Sequence, residues 1–198
     1  MELKDFSAVN TSIEEGHYIN GYDAIKVVKT GKMNEYDTDS YAVLSGLEFH
    51  NGTIEIDMLS RLAPDAPDFA RGFIGLAFRI DSAGFECFYI RPTNSIKTCD
   101  DPVRRSHGCQ YFSYPGYTFE FFRKKGIAKY EREIDCGLDE WVHLKIDVEG
   151  ETASFSLNND RPILTVDKLF GGDKSGGIGL FVDIGTEGYF KDLVIDKR

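Results

Sequence analysis

The sequence predicts an all-β protein, a two-sheet antiparallel β-sandwich of the jelly-roll kind, and three observations support this. About a dozen short segments alternate apolar and polar residues with the two-residue period of strands. Turn signals of glycine, asparagine and proline separate these segments at regular intervals. No segment shows the long 3.6-residue apolar repeat of an amphipathic helix. Because the 198 residues contain no linker rich in Pro, Ser or Gly, we expect a single domain over residues 1–198.

Charge and composition exclude several classes of partner. The chain has 23 Lys and Arg against 33 Asp and Glu, a formal net charge of −10. This argues against a nucleic-acid partner, since such binding depends on neutralising phosphates. The N-terminal sequence has no signal-peptide pattern, and no apolar run approaches membrane-spanning length. We therefore expect a cytoplasmic protein with no membrane partner.

Four cysteines, Cys87, Cys99, Cys109 and Cys136, are spread along the chain without CxxC spacing. This spacing argues against a zinc site and against a dense disulfide framework. We expect reduced thiols that fill apolar space, with Cys99 and Cys109 pairing only if the protein is exported.

The first half of the chain begins weakly and then gives clear strands. Residues 1–38 contain short alternations compatible with edge strands and carry no site prediction. Strand signals become dense from Tyr41, and Asn51-Gly52 suits a tight hairpin turn. In the strand that follows, alternate residues face the core, so Glu55 and Asp57 share the opposite face.

A central hairpin is predicted over residues 72–94, GFIGLAFRIDSAGFECFYIRPTN. A three-residue loop at 82–84, with its glycine in the left-handed position, pairs Phe78 with Phe88 on the core face.

The same register places Arg79, Tyr89 and Arg91 together on the opposite face of this hairpin. The small residues Gly75 and Ala77 lie beneath Arg91 and Tyr89 there.

The second half of the chain predicts further strands around a long irregular stretch at 92–106. The aromatic segment 116–126 is compatible with a short helix or a loop. Residues 141–159 give the clearest hairpin, with Gly150-Glu151 as a two-residue turn. Two final alternating strands follow, separated by residues 185–188.

The closing segments resemble those of concanavalin A-like, laminin-G-like jelly rolls. The resemblance rests on WVHLKI from Trp141, LNN from Leu157, GGIGLF from Gly176 and YFKDL from Tyr189. FYIRPTN, VRRSHGCQYFSYPGY and KYE further resemble a bacterial group of such domains, so the likeness covers most of residues 50–198. It implies two curved antiparallel sheets whose concave face binds or cleaves carbohydrate in many members, although fold alone does not fix function.

A candidate site follows if the strands of Glu55 and Asp57 lie in the same sheet as the central hairpin. Their outer faces then form one surface of carboxylates, guanidinium groups and a phenol, a mixture that suits sugars. Arg104 and Arg105 favour an acidic sugar, a sulfate or a phosphate group. The predicted ligand-binding residues are Arg79, Tyr89, Arg91, Arg104, Arg105, Gln110 and Tyr111.

Two of these assignments have alternatives. Alternation around Gln110 is ambiguous, since Tyr111 and its neighbour Phe112 are both large. Arg79 and Arg91 are equally compatible with structural ion pairs.

The leading hypothesis is a carbohydrate-binding or carbohydrate-processing sandwich that binds an oligosaccharide or another small polyol, neutral or acidic. A rival is a glycoside hydrolase or lyase that uses Glu55 or Asp57 with His107 as acid/base. The β-glucanases of this fold carry Glu-x-Asp-x-Glu, and Leu59 here replaces the second glutamate. A third hypothesis is a laminin-G-like module that binds a protein.

We expect no required cofactor. The resemblance implies a structural calcium on the convex side, held by a carboxylate of the last strand, and Asp192 is the matching position.

Overall fold

The computed structural model describes residues 2–198, and its strands form two packed antiparallel sheets. The strands are β1 (Phe6–Val9), β2 (Thr11–Ile19), β3 (Tyr22–Lys29), β4 (Tyr41–Leu44), β5 (Gly52–Leu62), β6 (Ile74–Ile80), β7 (Phe85–Ile90), β8 (Cys109–Tyr114), β9 (Glu131–Arg132), β10 (Trp141–Glu149), β11 (Thr152–Leu157), β12 (Pro162–Val166), β13 (Gly177–Val182) and β14 (Thr186–Lys197). The helices are α1 (Pro102–Arg105) and α2 (Phe119–Lys124), with 3₁₀ turns at Leu3–Asp5 and Pro92–Asn94.

The first sheet has the order β1-β4-β13-β6-β7-β8-β9, and the second has the order β12-β11-β10-β5-β14-β3-β2. The predicted all-β antiparallel sandwich is confirmed. Within residues 1–38, which the sequence left open, β2 is an edge strand of the second sheet and β1 an edge strand of the first. The ambiguous aromatic segment contains the helix α2.

The core lies between the sheets and is rich in aromatic rings. Phe88 of the first sheet stacks on Phe155 of the second, with ring centroids 4.5 Å apart and an interplanar angle of 9°. Ile54, Ile56 and Met58 of β5 have no exposed surface, as their alternation predicted. Burial of this kind stabilises the fold by about 1.5–3 kcal/mol for each large apolar side chain.

The two sheets differ in how their outer faces, those turned away from the partner sheet, are covered. Strand β10 of the second sheet alternates buried and partly exposed residues, so its outer face meets solvent. In β7 of the first sheet every residue is buried, both those that face the core and those on the outer face. Loop and helix residues cover this outer face: Tyr36 packs edge-on against Phe73 and Phe119, with centroids 6.3 and 5.8 Å away. This cover creates the enclosed environment described below.

The hairpin of β10 and β11 has the predicted register. Leu144 pairs with Leu157, and Val148 pairs with Ala153. Gly150 has a φ of 55° at the turn, a conformation that glycine adopts without strain.

The predicted register of the central hairpin is wrong by two residues. Phe88 pairs with Leu76 rather than Phe78, and Tyr89 pairs with Gly75. Two features cause this. Arg79, with a φ of 52°, is an extra residue of β6 between the pairs Ile80–Gly177 and Phe78–Ile178. The turn is also one residue shorter than predicted, because the Asp81 N–H donates to the Gly84 carbonyl oxygen at 3.0 Å. Such a β-bulge displaces the pairing, and a shift of two keeps Tyr89 on the expected face.

Two further properties concern the described residues 2–198. No helix there is long and apolar enough to cross a membrane. All four cysteines are free thiols with buried side chains.

Candidate functional site

The predicted carboxylate pair and the hairpin residues lie on opposite sides of the sandwich. Glu55 and Asp57 belong to β5 of the second sheet and project from its outer face, because Ile54 is buried between the sheets. Tyr89 belongs to β7 of the first sheet. The expectation of one shared sheet is therefore wrong. The chain crosses between sheets after β5, and alternation within a strand does not reveal which sheet the strand joins.

Glu55 and Asp57 form a charge-paired surface with His143 and Lys191. His143 lies 2.8 Å from Asp57 through Nδ1 and 3.1 Å from Glu55 through Nε2. Lys191 donates to Asp57 at 2.6 Å. Burial raises the pKa of Asp57, but the hydrogen bonds from Lys191 and His143 outweigh it and leave the pKa below its usual value.

His107 lies on the other side of the molecule, near the first sheet. Its Nδ1 is 2.8 Å from the carboxylate of Glu131. The structure therefore does not bring His107 together with Glu55 or Asp57, and the acid/base group predicted from these three residues is not assembled.

Arg79 lies apart from Tyr89 because the bulge turns its side chain toward the end of the sandwich. The guanidinium is fully buried and donates to the carbonyl oxygens of His50 at 2.9 Å and Gly172 at 3.0 Å. It also donates to Asn51 Oδ1 at 3.1 Å. Hydrogen bonds from Arg79 thus connect the turn before β5 with the loop before β13.

Tyr111 and Gln110 face opposite sides of β8. Tyr111 lies between the sheets, where its ring centroid is 6.2 Å from that of Phe155 and its hydroxyl donates to the buried Glu86. Gln110 lies on the outer side, where its Oε1 accepts a hydrogen bond from Arg91.

Two other predicted residues lie outside this region. Arg105 donates to the carbonyl oxygen of Cys99 and is 3.7 Å from Asp100. Asp192 is exposed and accepts from Lys191 at 2.7 Å. Within residues 2–198 no group of three His, Cys, Asp or Glu side chains could hold a metal ion. The calcium at Asp192 stays a prediction.

A cleft of about 250 Å³ opens on the outer side of the first sheet, and we call it the arginine cleft. It contains four of the predicted residues: Tyr89, Arg91, Arg104 and His107. The other lining residues are Tyr36, Phe69, Arg71, Phe73, Asn94, Phe119 and Arg123. Among the described residues 2–198, no aspartate or glutamate lines it.

Short turns and helices at the end of β7 position the polar lining. Pro92 opens the 3₁₀ turn that holds Asn94. Asp101 caps α1 by accepting from the Val103 N–H at 2.8 Å, and this helix presents Arg104.

Arg91 lies at the bottom of the cleft, where hydrogen bonds hold its side chain in place. Its guanidinium donates to Glu131 at 2.9 Å, to the Tyr89 hydroxyl at 2.6 Å and to the His107 carbonyl oxygen at 3.0 Å. The Tyr89 hydroxyl donates in turn to Asp37 at 2.9 Å. Burial lowers the pKa of Arg91, but Tyr89 and the negative charges of Glu131 and Asp37 outweigh it and raise the pKa. The guanidinium is therefore charged and rigidly held.

Glu131 is shared by three basic side chains. Besides Arg91, it is 2.9 Å from Arg123 and 2.8 Å from His107. Burial raises the pKa of Glu131, yet the hydrogen bond from Arg123 and the charge of Arg91 leave it below its usual value. Glu131 is thus an ionised carboxylate that balances only part of the positive charge around it.

Arg71 and Arg104 have no carboxylate partner within the described residues 2–198. Arg71 donates to the carbonyl oxygens of Asp68 at 2.7 Å and Ala70 at 2.8 Å. Arg104 donates to the side-chain oxygen of Asn94 at 3.2 Å. Burial, followed by the charges of Arg104 and Arg91, lowers the pKa of Arg71. The cleft therefore has an excess of positive charge.

Aromatic rings form the remaining wall. Tyr36 lies edge-on to Phe69, with centroids 5.7 Å apart. The Arg123 guanidinium lies over the ring of Phe119 at 5.0 Å. Phe69 is 47% exposed, so part of this wall is open to a ligand.

No protein-family model and no curated protein matches the sequence. Solved structures do match in fold. The carbohydrate-binding module CBM66 from Bacillus subtilis superposes with a TM-score of 0.65 at 17% identity, over 98% of this chain and 96% of that one. At this level of identity, the match shows only that the two proteins share a fold.

Two further solved structures also match this chain in fold. A candidate glycosyl hydrolase from Parabacteroides distasonis gives a TM-score of 0.58 at 14% identity, covering 99% of this chain and 95% of that one. A protein with a galectin-like fold from Bacillus subtilis gives a TM-score of 0.54 at 11% identity, covering 97% of this chain and 98% of that one. The chain therefore has a β-sandwich fold that a carbohydrate-binding module also has.

Seven lining residues escaped sequence reasoning. Tyr36, Phe69 and Arg71 come from loops without a period, and loop residues carry no alternation that assigns them to a face. Alternation placed Phe73 on the outer face of the predicted hairpin, but it was not named as a site residue. The local excess of basic residues between 97 and 132 was the signal available for Arg123.

Proposed function

We propose that this β-sandwich binds carbohydrate in the arginine cleft on the outer side of the first sheet. The observation that supports this best is the combination, in one cleft, of rigidly held guanidinium donors and a partly open aromatic wall. The fold shared with a carbohydrate-binding module agrees with this proposal.

The chemistry of the lining matches that of a sugar ring. Guanidinium N–H groups of Arg71 and Arg104 donate to hydroxyl oxygens, and the amide of Asn94 donates and accepts. An aromatic ring such as Phe69 covers the apolar face of a pyranose. Arg91 donates to Glu131, Tyr89, His107 and Gln110 and contributes a fixed positive charge, so binding costs no side-chain entropy there.

The cleft suits binding better than hydrolysis. A glycosidase needs a carboxyl group that stays protonated near neutral pH to act as general acid. Two carboxyl groups lie behind the lining. The pKa of Glu131 is held below its usual value by Arg123 and Arg91. Burial raises the pKa of Asp37 to about 6, but this side chain is buried and accepts from the Tyr89 hydroxyl and the Phe119 N–H, so a ligand in the cleft does not reach it. The proposed activity is therefore recognition.

The test is calorimetric titration of the protein with a panel of neutral and acidic oligosaccharides. We expect one class to bind and Phe69→Ala to weaken that binding about fivefold or more, since an aromatic contact contributes about 1 kcal/mol or more. The matched control is Tyr18→Ala, because Tyr18 is 73% exposed and lies on β2, in the other sheet. Unchanged affinity in Phe69→Ala, or a loss only in Tyr18→Ala, contradicts the proposed site.

A further inference from the structure

The lining of the arginine cleft carries far more positive than negative charge. Four arginines line it, and Glu131, which lies behind them, is the carboxylate that three of the basic groups share. This concentration occurs in a protein whose formal net charge is −10. A local field opposite in sign to that of the whole molecule favours an anionic ligand at this place.

Arg71 and Arg104 hold most of the unused donor capacity. A guanidinium has five N–H donors. In the described part of the chain, Arg71 uses only Nη1, toward two backbone carbonyl oxygens. Arg104 uses Nε and Nη2, toward Asn94 and the Thr93 carbonyl oxygen. Both side chains line the cleft, so their remaining N–H groups are available to a ligand.

The size and the wall of the cleft argue for a charged sugar rather than a bare ion or a polymer. Its volume of about 250 Å³ is just below the range of ligand pockets, which starts at about 300 Å³. A free inorganic anion would leave the aromatic rings of Phe69 and Phe119 without a role. A single charged sugar residue uses both the guanidinium groups and the rings.

We propose that the ligand is a glycan that carries an anionic group, either a uronate carboxylate or a sulfate or phosphate ester, and that Arg71 and Arg104 bind this group. This rests on the proposed carbohydrate binding and names its ligand class. Arginine matches both carboxylate and phosphate-like oxygens in a bidentate manner, so the two sources share one recognition chemistry.

The test compares four ligands by calorimetry on the intact protein. They are a uronic-acid oligosaccharide, its carboxyl-reduced neutral counterpart, a sulfated oligosaccharide of the same length, and inorganic sulfate. The variants are Arg71→Gln and Arg104→Gln, and circular dichroism checks that each is folded. The matched control is Arg161→Gln, because Arg161 is exposed near β12 and has no ion pair in the described residues.

We expect the uronate or the sulfated glycan to bind at least about tenfold more tightly than the neutral one, as a charge-assisted pair allows. Arg71→Gln and Arg104→Gln should each weaken binding of the acidic glycan about tenfold more than binding of the neutral one. Arg161→Gln should change neither. The two acidic ligands distinguish the carboxylate from the sulfate source.

Two outcomes overturn the inference and differ in what else they reject. If neutral and acidic glycans bind equally and the arginine variants have no effect, the anionic ligand is rejected while carbohydrate binding stands. If no glycan binds, or inorganic sulfate alone binds, both the ligand class and the proposed function are rejected.

Discussion

The Tyr89 hydroxyl joins a cation to a carboxyl group beneath the arginine cleft. It accepts from Arg91 at 2.6 Å and donates to Asp37 at 2.9 Å. Tyr89→Phe removes both contacts and leaves Asp37 with fewer donors in a fully buried place. We expect the free energy of unfolding to fall by about 1–3 kcal/mol, the cost of leaving buried polar groups unpaired. Urea denaturation at pH 7.5 measures this.

The control for Tyr89→Phe is Tyr18→Phe, which removes the same atom from a side chain that is 73% exposed. The control variant should unfold at the wild-type urea concentration. Equal stabilities in the two variants would show that the buried network contributes nothing.

The residues of the arginine cleft that the sequence predicted were found in different ways. Tyr89 and Arg91 follow from alternation in β7, and the two-residue error in register kept them on the correct face. Arg104 follows from its place in the long irregular stretch 92–106, where binding residues are common. His107 follows that stretch and was predicted as an acid/base group. Arg71 and Arg123 could not be found in this way, since their positions depend on how a loop and a short helix fold over the sheet.

At the scale of elements, the bulge at Arg79 explains a misplaced side chain and, together with the shorter turn, the wrong register. A φ of 52° is uncommon for arginine, so no sequence signal marked the extra residue. The hairpin at Gly150 was predicted correctly because glycine itself supplies the required backbone conformation. Gly75 adds a constraint that pairing alone does not show: a Cβ there would lie 2.0 Å from the Phe88 carbonyl oxygen.

We expect Arg79→Lys to destabilise the fold without changing the arginine cleft. Lysine does not reproduce the fork that reaches the carbonyl oxygens of His50 and Gly172, so at least one buried acceptor loses its donor. The free energy of unfolding should fall by about 2–3 kcal/mol, the value for charge-assisted bonds. Thermal denaturation measures this loss.

Ligand affinity serves as the second readout for Arg79→Lys. Below its melting temperature the variant should bind the ligand of the wild-type protein with unchanged affinity. A large loss of affinity with normal stability would instead return Arg79 to the binding site that the sequence suggested.

For the whole molecule, the sequence predicted the architecture but not the assignment of strands to sheets. Alternation shows which residues of a strand face the core, and this sufficed for Ile54 and Ile56. It does not show whether β5 and β7 lie side by side or face each other across the core. That information depends on long-range pairing, and for this reason Glu55 and Tyr89 were expected on one surface and lie on two.

Buried acidic groups give the whole fold an unusual dependence on pH. Burial raises the pKa of Asp37 from 3.8 to about 6, and it also raises the pKa values of Asp183 and Glu86. Between pH 3.8 and about pH 6, the folded protein keeps a proton on Asp37 that the unfolded chain has released. Stability should therefore rise as pH falls from 7.5 toward 5, and lower self-repulsion of a protein with a net charge of −10 acts in the same direction.

Other groups limit this gain. The pKa values of Asp57 and Glu131 are lowered, so their contribution is lost only as pH falls below the usual carboxyl range of about 4. His107 and His143 have opposite effects on the pH dependence of stability. Burial lowers the pKa of His107, whereas for His143 the two carboxylate partners of its ring outweigh burial and raise the pKa. The maximum of stability is expected between about pH 4.5 and 6.

Urea denaturation at pH 7.5, 6 and 5 tests this expectation, with a gain of about 1 kcal/mol attributable to Asp37. Asp37→Asn removes that titrating group, so its free energy of unfolding should change less between these pH values, whatever its absolute stability. A wild-type protein whose stability decreases steadily from pH 7.5 to 5 would show that the buried carboxyl groups remain ionised throughout. In that case the charge of Arg91, rather than a proton, would balance Asp37.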